Sequence, residues 1–156
     1  MNKYCDSAFH QLEIVIASLS EILGQLKDED LDFRPTKGKF SIGELLEHLA
    51  TIPAADGRVA EGATESDIQA FYESISLKTT EEISATLYEH FAQLKFQYES
   101  YTEEHLFTEI TSWWDVTYTR FEWLLEIIAH MYHHRGQLHA MLVHTYEKDP
   151  EIMLFE

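Results

Sequence analysis

Cysteine occurs once in the 156 residues, as Cys5. No intramolecular disulfide is possible and no Cys-rich zinc framework can form, so any metal must rest on His, Asp or Glu. Cys5 itself, close to the terminus, is assigned no role. Basic residues are also scarce, with 11 Lys and Arg against 28 Asp and Glu, a formal charge of −17. Most of the surface therefore repels nucleic-acid phosphates and anionic membranes, which disfavours a nucleic-acid-binding role. No apolar run is long enough to span a bilayer. Met1-Asn-Lys-Tyr-Cys-Asp6 runs directly into a helical pattern, without the basic start and apolar block of a signal peptide. A cytoplasmic protein with no membrane partner is the expectation. Strand-like alternation and internal repeats are missing as well.

What is present is ordinary for a globular chain, with 45% hydrophobic and 25% charged residues, and its length suits one domain over residues 1–156. Phe9, Leu12, Ile16, Leu19, Leu23 and Leu26 alternate spacings of three and four, the apolar seam of a first helix. Pro35 and Gly38 mark a loop after it. Ser41-Ile-Gly-Glu44 matches a reciprocal capping box and opens a second helix with the stripe Ile42, Leu45, Leu46 and Leu49. Pro53 should bend or end this helix, although Ala54-Ala55 and Val59-Ala60 permit continuation to about Glu61. Residues 57–64 read as a loop, and Ser66-Asp-Ile-Gln69 as the cap of a short helix bearing Phe71, Tyr72 and Ile75. Thr79-Thr-Glu-Glu82 caps a third long helix with Leu87, Phe91, Leu94, Tyr98 and Tyr101. From Thr102 to Tyr118 the pattern fails and reads as a long, partly ordered connection. Thr119-Arg-Phe-Glu122 is a further capping box, and the fourth helix runs to about Tyr146, roughly 40 Å at the usual rise. The predicted architecture is all-α, a four-helix bundle with a short extra helix between helices two and three.

The last helix carries His130-Met-Tyr-His-His134-Arg-Gly-Gln137. Residues at i and i+4 have Cβ atoms about 5–6 Å apart, so His130 and His134 can reach one ion. His48, at the border of the second helix's apolar stripe, is the best third ligand. Three neutral imidazoles would leave a divalent ion its full charge and an open position, where water or a thiol becomes a stronger acid. Imidazole suits zinc, nickel, copper and iron alike. A histidine on an apolar border also serves commonly as a hydrogen-bonded structural residue. His133 should face solvent, and His139 and His144 diverge from the pair. His90, near the inward face of the third helix, is an outside fourth ligand or a structural residue. Met131 occupies the position where H-E-x-x-H zinc proteases need their Glu, and no nucleophile elbow or phosphate loop is present. Glu44 and Glu126 each stand one turn before a candidate ligand and are candidates to orient its ring, or are solvated helix positions. Arg135 and Gln137 are candidates for substrate binding, with a buried carboxylate pair as the alternative for Arg135. Gly136 is expected to permit close helix approach.

Phe33-Arg-Pro35 before Ser41-Ile-Gly-Glu-Leu-Leu-Glu-His48, followed by His130-Met-Tyr-His-His134-Arg-Gly-Gln137, resembles the DinB/YfiT-like family of metal-dependent four-helix-bundle proteins. The resemblance covers most of the chain in element order and is sharp in these two segments. It implies a divalent metal, zinc or nickel above all, held by His48, His130 and His134, and it implies a homodimer. Some relatives are thiol S-transferases or thiol-dependent isomerases using a low-molecular-weight thiol. The chain departs from the pattern at Phe33, where a Trp is usual, and at Pro53, which bears on the shape of the substrate pocket. Three functions are compatible with such a site: transfer of such a thiol to a small electrophile, metal-dependent hydrolysis by activated water, and a non-catalytic metal-binding dimer acting in a stress response.

Overall fold

The computed structural model describes residues 2–156. In chain order its elements are α1 (Lys3–Gln25), α2 (Ile42–Val59), α3 (Glu65–Glu73), α4 (Thr80–Glu99), α5 (Glu103–Leu106), β1 (Glu109–Thr111), β2 (Thr117–Thr119) and α6 (Arg120–His144), with a 3-10 turn at Asp28–Asp32 before α2. The fold is all-α apart from the small hairpin. The long helices α1, α2, α4 and α6 form the bundle: α2 packs against α4 and α6, and α1 closes the opposite side against the same two helices.

Each long helix is amphipathic and would be marginal alone, so the buried seams hold the bundle together. Phe9, Leu12, Ile16, Leu19 and Leu23 of α1 and Leu26 just beyond it are all buried, as are Leu87, Leu94 and Tyr98 of α4 and Leu124, Ile127, Met131, Leu138 and Leu142 of α6. Helix starts are sealed locally. Ser41 Oγ accepts from the Glu44 N–H at 3.1 Å, and the Glu44 carboxylate accepts from the Ser41 N–H at 2.9 Å. Thr79 and Glu82 form the same reciprocal pair. At the start of α6, Thr119 supplies the hydroxyl half through Glu122 N–H. Gly43 permits a close approach: a Cβ there would lie 2.9 Å from Leu31 Cβ and 3.0 Å from its carbonyl oxygen, so the 3-10 turn can sit directly on the start of α2.

The structure departs from expectation at three places and fixes the course of α2, which was open beyond Pro53. Residues 102–118 are not a loose connection, since they hold α5, β1 and the start of β2. Glu109, Ile110 and Thr111 pair antiparallel with Thr119, Tyr118 and Thr117. β-Branched and aromatic side chains suit these strands, but three residues are too few to show alternation. The cap of α3 is Thr64 with Asp67, in place of Ser66 with Gln69. Asp67 accepts from both the Thr64 N–H and its hydroxyl, a charged acceptor at the helix's positive end, and Ser66 turns its hydroxyl toward Thr64. α2 continues through Pro53 to Val59. The missing Pro53 N–H frees the Leu49 carbonyl, and at the next residue the Ala50 carbonyl accepts from His90 Nδ1 at 2.8 Å. Finally, a Cβ on Gly136 would meet nothing within 4 Å, so this glycine faces open space and mediates no helix contact.

Candidate metal centre

α2 and α6 face each other across the bundle, and their facing borders bring His48, His130 and His134 together. Each offers one ring nitrogen, and the three nitrogens lie within 4.8 Å of one another. His48 Nε2 stands 3.3 Å from His130 Nε2. A tetrahedral ion with imidazole bonds of about 2.0–2.1 Å sets its nitrogens roughly 3.3–3.4 Å apart, so this pair already has the spacing of two ligands. Three histidines in this arrangement can hold a divalent metal ion.

Their outer nitrogens are also committed. His130 Nδ1–H donates to Asp56 Oδ2 at 2.8 Å, and His134 Nδ1–H donates to Gln137 Oε1 at 2.9 Å. Both rings therefore turn their Nε2 lone pairs inward, as metal-binding histidines do. Burial, reinforced by His134 and His130, pushes His48 down to about 4. Burial also lowers His134, despite the hydrogen bond to Gln137. The Asp56 carboxylate raises His130 against the effect of burial. At neutral pH His48 and His134 are thus uncharged, the form a ligand needs. The donor set fits a borderline cation such as zinc or nickel, and lone pairs converging at 3.3 Å repel unless a cation or proton lies between them.

The other candidates divide. Gln137 orients His134 directly. Glu44 is occupied elsewhere: both carboxylate oxygens bond Arg34, at 2.6 and 2.7 Å, besides capping α2, which holds it near 2. Glu126 is exposed, raises His130 through its charge, and borders a cavity beside that ring. Arg135 reaches α1 and not the histidines. It is 2% exposed, donates to Ser18 Oγ at 3.0 Å, and lies against the rings of Tyr132 and Phe155. Among the described residues no carboxylate pairs with it, and its Nε has no partner. His90 is held by the Ala50 carbonyl in the core, outside the cluster, and His133 is exposed as expected.

Sequence reasoning missed Asp56 and the walls of the site. Asp56 lies two turns beyond His48, and only a helix continuing through Pro53 places it opposite His130. Phe40 stacks on His48 with ring centroids 5.6 Å apart. It shares a cavity of about 200 Å³ with Thr51, Tyr72 and Ile75. On the side of His130, a second cavity of about 180 Å³ lies between Trp114, Trp123, Val59 and Ile127. Burial, with the nearby Asp56 charge, raises the Tyr72 phenol to about 12, so it stays protonated.

The DinB superfamily profile matches residues 11–138. The chain belongs to the DinB superfamily. A structure assigned to the DinB family from Exiguobacterium sibiricum is similar to this DinB protein over 99% of both chains, with 29% identity and a TM-score of 0.84. DinB-like proteins from Bacillus cereus (16% identity, 88% of this chain and 90% of that one, TM-score 0.71) and Bacillus subtilis (18%, 90% of each, 0.68) share the fold. No protein with a curated description matches the chain. Among the described residues no helix is long and apolar enough to cross a membrane.

Proposed function

We propose that this DinB protein is a single-domain, metal-dependent enzyme that activates a low-molecular-weight thiol for transfer to a small electrophile. His48, His130 and His134 hold the divalent ion, zinc or nickel. The observation that carries this reading is the convergence of three ring nitrogens, two of them with their outer nitrogens already bonded to Asp56 and Gln137. When bound, the ion supplies Lewis acidity, which makes a thiol a stronger acid at neutral pH. Asp56 and Gln137 keep the imidazoles aimed inward, and Phe40 and Ile75 give the side of His48 an apolar wall.

Transfer is preferred to hydrolysis because cavities lie on two sides of the cluster, one bordering His48 and the other His130. Two reactants need two places, whereas hydrolysis needs one substrate and water. A homodimer in the cytoplasm belongs to the same proposal. The test is thiol consumption by zinc- or nickel-loaded protein against a panel of electrophiles, beside a panel of esters and amides. Metal-dependent thiol loss that His130→Ala abolishes is the expected result. Hydrolysis without thiol consumption replaces transfer by the hydrolase reading, and inactivity in both leaves the non-catalytic metal-binding dimer.

A further inference from the structure

The cavity beside His130 has a chemistry of its own. Its inner wall is the indole of Trp123, 4% exposed, held in place because its Nε1–H donates to the Ile110 carbonyl of β1 at 3.2 Å. Its outer wall is Trp114, from the loop between β1 and β2, with ring centroids 5.9 Å apart and planes at 85°. The hairpin thus sets one indole at right angles to another at the mouth of the site. Val59 and Ile127 complete an apolar floor.

Two carboxylates open onto this aromatic corner. Asp56 is engaged by His130, but Glu126 makes no hydrogen bond or ion pair among the described residues. Among the described residues no Lys or Arg lines the cavity. An anion is repelled here, and a neutral apolar group would leave the Glu126 charge facing it without compensation. A cation against crossed indoles and a free carboxylate gains from both the ring faces and the charge. Apart from the carboxylates at its border, the lining side chains Val59, Trp114, Trp123 and Ile127 carry no hydrogen-bond acceptor, which favours an ammonium whose hydrogens are replaced by methyl groups. At about 180 Å³ the space is smaller than the roughly 300–1,000 Å³ of a whole-ligand pocket, and suits a head group.

We infer that the Trp114–Trp123–Glu126 cavity is a subsite for a methylated ammonium group, carried by a substrate whose reactive end lies toward the three histidines. The catalytic meaning of this subsite rests on the proposed metal site; cation binding does not.

The probe is choline, compared with its neutral isostere 3,3-dimethyl-1-butanol, by calorimetric titration of the full chain and by quenching of tryptophan fluorescence. Choline should bind saturably, about tenfold more tightly than the alcohol, as the loss of a cation–π contact and an ion attraction implies. Trp114→Ala, at a half-exposed hairpin position, and Glu126→Gln, at an exposed helix position, should each weaken choline several-fold with helical content unchanged. His48→Ala should lose metal and keep choline binding. Equal binding of the alcohol, no saturable choline binding, or wild-type affinity in both variants overturns the inference whatever the metal content. Failure of the wild type to bind metal, with choline binding intact, overturns the functional reading and leaves this one standing.

Discussion

His130 Nδ1 and Asp56 Oδ2 lie 2.8 Å apart, joining α6 to α2 across the candidate metal centre. The bond fixes which nitrogen of His130 carries the proton and makes the ring a better ligand. It also depends on α2 continuing through Pro53, because Asp56 follows the proline by three residues.

Asp56→Asn retains the shape of the side chain and removes its charge. Metal affinity should fall roughly 10-fold to 100-fold, with the helical signal unchanged. Competition against a chelator of known affinity measures this. Wild-type affinity in the variant would show that Asp56 does not support His130.

Two glycines should respond in opposite directions to alanine. Gly43→Ala forces a Cβ against Leu31 and should cost about 1–3 kcal/mol. Gly136→Ala meets open space in the interior of α6 and should stabilise by about 0.5–1 kcal/mol through helix propensity. Urea unfolding of the two variants beside the wild type decides both, and a loss at Gly136 would contradict its placement.

Acid stability should depend on Asp30. Burial alone would raise this carboxyl, but the Lys148 ammonium at 2.7 Å, the Lys27 N–H at 2.7 Å and the Tyr146 hydroxyl hold it at about 2. A folded value below the unfolded one of about 3.9 gives stability that is complete above that value and is lost as pH falls toward about 2. Asp30→Asn should therefore be less stable than wild type near neutrality, with the gap narrowing below about pH 4. A gap that stays constant on acidification would contradict the charged contacts between this residue and the chain's last segment.

The bundle was legible because its helices repeat the three-four spacing over many turns, from Phe9 to Leu26 and from Leu124 to Leu142. His48, His130 and His134 were legible because two are one turn apart and the third borders an apolar stripe. Asp56 was not, since the register beyond Pro53 depended on whether the helix continued. The hairpin escaped because its three-residue strands carry no periodic signal, and with it went Trp114, a wall of the site. The place of Glu44 was half visible: its capping box could be read, but its bond to Arg34 joins a loop to a helix and leaves no local pattern. The carboxylate partner considered for Arg135 is replaced by Ser18 and two aromatic rings, long-range contacts that no spacing encodes.

The central claim is that His48, His130 and His134 bind one divalent ion. Metal analysis of the purified protein after loading with zinc or nickel tests it most directly, with His48→Ala, His130→Ala and His134→Ala measured in parallel. The account predicts about one ion per chain in the wild type and loss of most of it in each variant, with the helical signal preserved. A wild type that retains no metal, or variants that retain as much as the wild type, would contradict it.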